Sequence, residues 1–89
     1  NVPSVALILN NIAEALERDD RPMEALPLYV CSEILFRQSG SPNTDYVAAM
    51  RQRVEEALPA AEVGRLVSEA SAMDPLEAAR RAADRSRLA

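Results

Sequence analysis

Few residues in this chain have the chemistry to act on a substrate. Histidine is absent and there is a single cysteine, Cys31, so the commonest general base is missing and a multi-thiolate metal site cannot form. A thiol becomes a nucleophile beside a basic group or at a helix N-terminus. Cys31 sits instead inside an apolar run, next to Ser32 and Glu33, and reads as a small buried hydrophobe. The carboxylates occur as adjacent pairs, Asp19-Asp20 and Glu55-Glu56. Neighbours on a helix do not face one another, so neither pair makes an acid/base couple. No ligand spacing suggests a metal, and no cofactor is expected. Tyr29 reads as packing between helices. Arg80, Arg81, Arg85 and Arg87 form a basic end to the last helical stretch, where cations complement the helix dipole. An enzyme is the reading with least support.

The elements that carry these residues are helical. Hydrophobic residues make up 48% of the 89 residues and aromatics 3%, so the core must be built from Leu, Ile, Val, Met and Ala. That mix suits helix on helix and fits β-sheets poorly. The two glycines leave little room for tight hairpin turns. Val5, Ile8, Leu9, Ile12 and Leu16 recur at helical spacing over Pro3 to Arg18, with Leu7 widening the stripe. Asp19-Asp20-Arg21-Pro22 is a turn in which Asp20 can cap a second helix, Pro22 to Ser39. Its apolar side carries Leu26, Tyr29, Ile34 and Phe36, and Pro27 predicts a small bend.

Ser39-Gly40-Ser41-Pro42-Asn43 is the strongest break. A third helix follows from Asn43 to Leu58, capped by Asn43 or Thr44, with Tyr46, Val47, Met50, Val54 and Leu58 as its apolar positions. A fourth runs from Pro59 to Ala72. Asp74-Pro75-Leu76-Glu77 then has the form of a capping box opening a fifth, to about Arg87.

The first helix recurs. At an offset of 42, Val5, Ala6, Glu14, Ala15 and Leu16 return as Val47, Ala48, Glu56, Ala57 and Leu58, and Ile8 and Ile12 return as Met50 and Val54. The stretch Leu9-Asn10-Asn11-Ile12-Ala13-Glu14-Ala15-Leu16, a short turn, and Glu24-Ala25-Leu26-Pro27-Leu28-Tyr29 resembles a tetratricopeptide repeat of the kinesin-light-chain type. The resemblance covers about Val5 to Leu58, and the period is longer than the ~34 residues of the ordinary repeat. It departs at the first turn, where Asp20 stands near the usual glycine. It departs again in the third helix, where Arg51-Gln52-Arg53 replaces the Asn pair.

This resemblance implies an all-α fold of antiparallel helix hairpins, about five helices of a tetratricopeptide-like α-solenoid. Residues 1–58 would hold one repeat and a degenerate following helix, and 59–89 the capping helices. It implies a concave groove lined by the first helix of each unit. Carried over residue by residue, Asn10, Asn11 and Glu14 would face that groove from the first helix, and Gln52, Arg53 and Glu56 from the third. Paired amides can bond a peptide backbone, and Arg53 can hold a carboxylate bidentately. The expected function is a protein-interaction module binding a peptide or partner domain, within a larger bacterial regulatory or signalling protein. The alternative is a structural, homo-oligomerising helical domain.

The net charge of −4 opposes nucleic acid as a partner. No run approaches the ~20 apolar residues of a membrane span. A lone cysteine and no visible signal peptide point to a cytoplasmic setting, and the absence of an initiating methionine to a fragment of a longer chain.

Overall fold

The computed structural model describes residues 2–78, 80 and 81, all of whose regular structure is helical. Four helices, α1 (Val2–Arg18), α2 (Pro22–Gln38), α3 (Asn43–Glu56) and α4 (Ala60–Ala72), are followed by a helical segment over 75–78 and 80–81. The expected continuation of that segment to Arg87, including Arg85, lies outside the described residues.

α1 ends at Arg18 as expected, α2 at Gln38, one residue early, and α3 at Glu56, two residues before the expected Leu58. Beyond α1, the Arg21 N–H reaches the Leu16 carbonyl (2.9 Å) and the Asp20 N–H that of Glu17 (3.0 Å). Beyond α2, Ser41 N–H reaches Phe36 (2.9 Å) and Gly40 N–H reaches Arg37 (3.1 Å). Both are Schellman terminations. The residue that must turn left-handed is Gly40 in one (φ 69°) and Asp20 in the other (φ 58°).

Asp20 is therefore not the cap of α2 that the sequence suggests. It occupies the left-handed position, which a short polar side chain tolerates but glycine takes without a Cβ penalty. Asp20→Gly is expected to stabilise the fold by about 1 kcal/mol, read as a rise in the urea midpoint at unchanged m-value. A fall would show that the Asp20 carboxylate has a stabilising role.

Two other caps also differ from expectation. Neither Asn43 nor Thr44 caps α3. Ser41 does this work: its Oγ accepts the Asn43 N–H (3.1 Å), and its carbonyl takes the Thr44 hydroxyl (2.8 Å). Asp74 does cap the last segment, accepting the Leu76 N–H (3.1 Å). Glu77, however, turns to Arg80 and Arg81 instead of closing a capping box.

The packing is organised around α2, which runs without interruption through Pro27 and is the main neighbour of α1, α3 and α4 alike. A helix covered on three sides must be apolar nearly all round. Ala25, Leu26, Leu28 to Leu35 except Ile34, and Phe36 are all buried. Toward α1 the interface is made of small residues. Ala6 and Ala13 of α1 and Ala25 and Ser32 of α2 are fully buried, and the Ser32 Oγ donates to the Ala6 carbonyl across the interface (2.8 Å).

The buried line of α1 is thus Ala6, Leu9 and Ala13. Val5, Ile12 and Leu16 are partly buried beside it, and Leu7 and Ile8 lie exposed. Val47 and Val54 anchor α3, whereas Tyr46 is 54% exposed. Leu66 and Ala70 anchor α4, and one apolar cluster continues to Ala78.

Helices α1 and α2, joined by a short turn, pack together as one helical hairpin. A second hairpin would need α3 against α4, but α4 packs across α2 and meets α3 only marginally. Pro59, extended at ψ 140°, turns the chain sharply enough to send α4 there.

One carboxylate is deep in this arrangement. Glu33 of α2 is buried and receives Arg37 Nη2 (2.5 Å) from its own helix and Arg51 Nη1 (2.9 Å) from α3. It fixes α3 to α2 by charge, where Val47 and Val54 do so by burial.

Candidate functional site

Helices α1 and α3 share a flank along which polar side chains from both interleave. On α1, Asn10, Glu14 and Glu17 follow one another at helical spacing, as do Tyr46, Met50 and Arg53 on α3. The Tyr46 hydroxyl donates to Glu14 Oε1 (2.8 Å). Arg53 grips Glu17 bidentately, Nε to Oε2 at 3.2 Å and Nη2 to Oε1 at 2.8 Å. From α2, the buried Tyr29 hydroxyl donates to the same Glu17 Oε1 at 2.5 Å.

Glu17 therefore ties three helices together. Burial alone would raise its pKa, but the hydrogen bonds from Arg53 and Tyr29 and the Arg53 charge outweigh that and hold it below the ordinary value. Burial, then the Glu17 hydrogen bond and charge, push the Tyr29 phenol well above its ordinary range. A hollow of about 270 Å³ remains between Glu14, Glu17, Arg18, Met50 and Arg53.

Of the six residues the resemblance assigns to a groove, this flank brings together Glu14 and Arg53, each already engaged with a partner in the fold. Asn11 is exposed on α1. Gln52 and Glu56 are exposed on α3 and bonded to each other (3.4 Å). Asn10 is only 5% exposed, and its Oδ1 is buried with no hydrogen-bond partner among the described residues. An acceptor withdrawn from water without compensation costs on the order of 1–3 kcal/mol. Asn10→Leu, similar in volume, is expected to gain about 1 kcal/mol in a urea titration. An equal loss would mean that the amide is satisfied in solution.

Sequence reasoning passed over Glu17, Tyr29 and Tyr46 as members of this seam. The available signal was the seven-residue step shared by Asn10/Glu17 and Tyr46/Arg53.

On the opposite flank of α1 lies a larger feature, an open groove of about 530 Å³. Its walls are the last turns of α1 (Ile12, Ala15, Leu16), the first half of α2 (Met23, Pro27, Leu28) and the inner face of α4 with Met73 and Ala78. The lining is chiefly apolar, and carboxylates of Asp19, Glu24 and Glu69 stand at its edge with Arg21 and Arg81. Ile8, one turn before Ile12 on the same face of α1, is exposed and prolongs the apolar edge.

The groove exists because α4 leans on α2 near Cys31, whose Sγ lies 4.0 Å from the Ala70 carbonyl, and the described residues leave this side of α1 uncovered. Cys31 lines the groove wall while only 1% exposed, and burial pushes its thiol up to about 11. It is an inert wall residue, as the sequence suggests. Arg80 and Arg81 both face Glu77.

No cluster of three or more metal-ligating side chains occurs among the described residues, and no helix among them is long and apolar enough to cross a membrane. Compared with family models, with curated proteins and with solved structures, the chain has no match.

Proposed function

We propose that this chain is a protein-interaction module that receives a helix of a partner protein in the apolar groove between α1, α2 and α4. The observation that carries the reading is the groove itself. It is open and mostly apolar, and it has the size of a ligand site, of which a few hundred cubic ångströms is typical. Helices α1, α2 and α4 and the last helical segment line it, so a further helix completes a helical packing. No strand edge exists among the described residues for β-augmentation. The resemblance to a tetratricopeptide unit agrees with a binding role within a larger regulatory protein.

A second reading places a peptide on the α1/α3 flank through Asn10, Asn11, Glu14 and Arg53. The hollow of about 270 Å³ between Glu14, Glu17, Arg18, Met50 and Arg53 favours it. An oligomerising role, in which a second copy covers the groove, is the third.

Two substitution sets separate them. Ala15→Trp, at an exposed groove wall, is expected to abolish binding of amphipathic helical peptides in fluorescence anisotropy, with Asn11→Ala and Arg53→Ala leaving it intact. The reverse pattern transfers the site to the α1/α3 flank. A concentration-dependent mass in sedimentation that Ala15→Trp removes assigns the groove to a second copy.

A further inference from the structure

We infer that the partner helix is cationic: an amphipathic helix with an apolar stripe for the groove and lysines or arginines flanking it. This rests on the groove being the binding face and adds the chemistry of its occupant.

The argument is electrostatic. The mouth carries three carboxylates, Asp19, Glu24 and Glu69, against two guanidiniums, Arg21 and Arg81. Neither guanidinium is a free cation. Arg21 is shared between Glu24 (2.5 Å) and Asp19 (3.8 Å), and Arg81 faces Glu77 (3.5 Å), itself outside the groove. Asp19, 3.8 Å from Arg21, and Glu69, 3.4 Å from Arg65, are the most open of these carboxylates, with side chains 72% and 61% exposed. They stand on different walls, one at the end of α1 and the other on α4, so basic residues on both sides of an incoming stripe meet a carboxylate.

The whole molecule works in the same direction. At a net charge of −4 its field attracts cationic partners and repels anionic ones. An anionic helix would bring like charge to a partly desolvated rim.

The length of the groove sets the scale of the occupant. From Ile8 to Asp19 the wall of α1 rises about 16 Å, or three helical turns. Four or five apolar residues at i, i+3, i+4, i+7 and i+11 cover that distance. Met23 and Met73 on the walls let the groove adapt to different apolar side chains.

The test uses two fluorescein-labelled peptides of about eighteen residues with identical leucine stripes, one completed with lysine and one with glutamate, titrated against the 89-residue chain. The lysine peptide is expected to bind, and more weakly as salt is raised. The glutamate peptide is expected to bind at least about tenfold more weakly. Asp19→Arg and Glu69→Arg should each lower affinity for the lysine peptide by roughly three- to tenfold and raise it for the glutamate peptide. Ala15→Trp should abolish both.

Equal binding of the two peptides, both lost in Ala15→Trp, would keep the groove and overturn the charge inference. Lysine-peptide binding that survives Ala15→Trp would be attraction to the acidic surface at large and would overturn both. If neither peptide binds, the groove is removed as a helix site. Concentration-dependent dimerisation through the groove replaces the cationic helix with a second copy.

Discussion

Truncating Tyr29 to alanine is expected to cost about 3–5 kcal/mol. A domain of this length has a total stability of order 4–13 kcal/mol, so Y29A would be largely or wholly unfolded near its present melting range. The ring is fully buried in α2, and its hydroxyl is one of the donors that hold Glu17.

Tyr29→Phe separates these two roles. It keeps the ring and removes one hydrogen bond to a charged acceptor, at about 1–2 kcal/mol, with Arg53 still in place. Its effect should depend on pH in a defined sense. The Glu17 carboxyl is held below its usual value of 4.5 by those hydrogen bonds. Its contribution is therefore fully present above that value and lost as pH falls through the lower folded-state value. Acid unfolding of Y29F should begin at higher pH than that of the parent chain, followed by circular dichroism. Coincident acid transitions would mean that Arg53 alone sets the Glu17 titration.

Glu33→Ala should be nearly as damaging, at about 2–3 kcal/mol. It removes the buried acceptor shared by Arg37 and Arg51. Arg51, which is mostly buried against α2, would retain only Glu55 at 3.4 Å. The loss lies below the full cost of breaking a buried pair because Arg37 is largely exposed and rehydrates readily. For a domain of this size the melting temperature should drop by roughly 10–20 °C. Glu33→Met, which keeps volume and removes the charge, gives the complementary measurement with Arg51→Met. If the double variant recovers most of the stability, the pair serves to orient α3 more than to stabilise it.

Much of this architecture is written in local signals. Pro22, Ser39-Gly40, Pro59 and Asp74-Pro75 mark breaks the structure keeps, because backbone geometry at proline, glycine and a capping aspartate is decided within a few residues. The buried line of α1 was harder to read. Ranking by hydrophobicity favours Ile8 and Leu7, whereas close approach to α2 selects Ala6 and Ala13, and size, not apolarity, is the criterion there. Ser32 and Glu33 look like a surface step in α2. Both are buried, since Ser32 spends its hydroxyl on Ala6 and Glu33 its charge on two arginines from different turns. Tyr46 sits at a helical apolar position yet points its ring along the outside, drawn by Glu14.

The candidate sites divide the same way. The seven-residue step that builds the α1/α3 seam is present in the sequence. The groove is not, because it exists only where α4 crosses α2, and the placement of α4 follows from tertiary packing against the far side of a helix whose own pattern shows no single face.

The central position of α2 also shapes how the molecule comes apart. Because α3 and α4 lean on α2 and barely on each other, neither needs the other to be docked. Detachment of α4 would expose Cys31 and Leu66 and leave the Glu33–Arg51 and Glu17–Arg53 links untouched. Detachment of α3 would break those links and leave α4 in place. Amide exchange should resolve two independent sub-global openings around a slowly exchanging α1/α2 hairpin. Early contacts in folding should belong to that hairpin, whose short loop brings its helices together at low entropic cost.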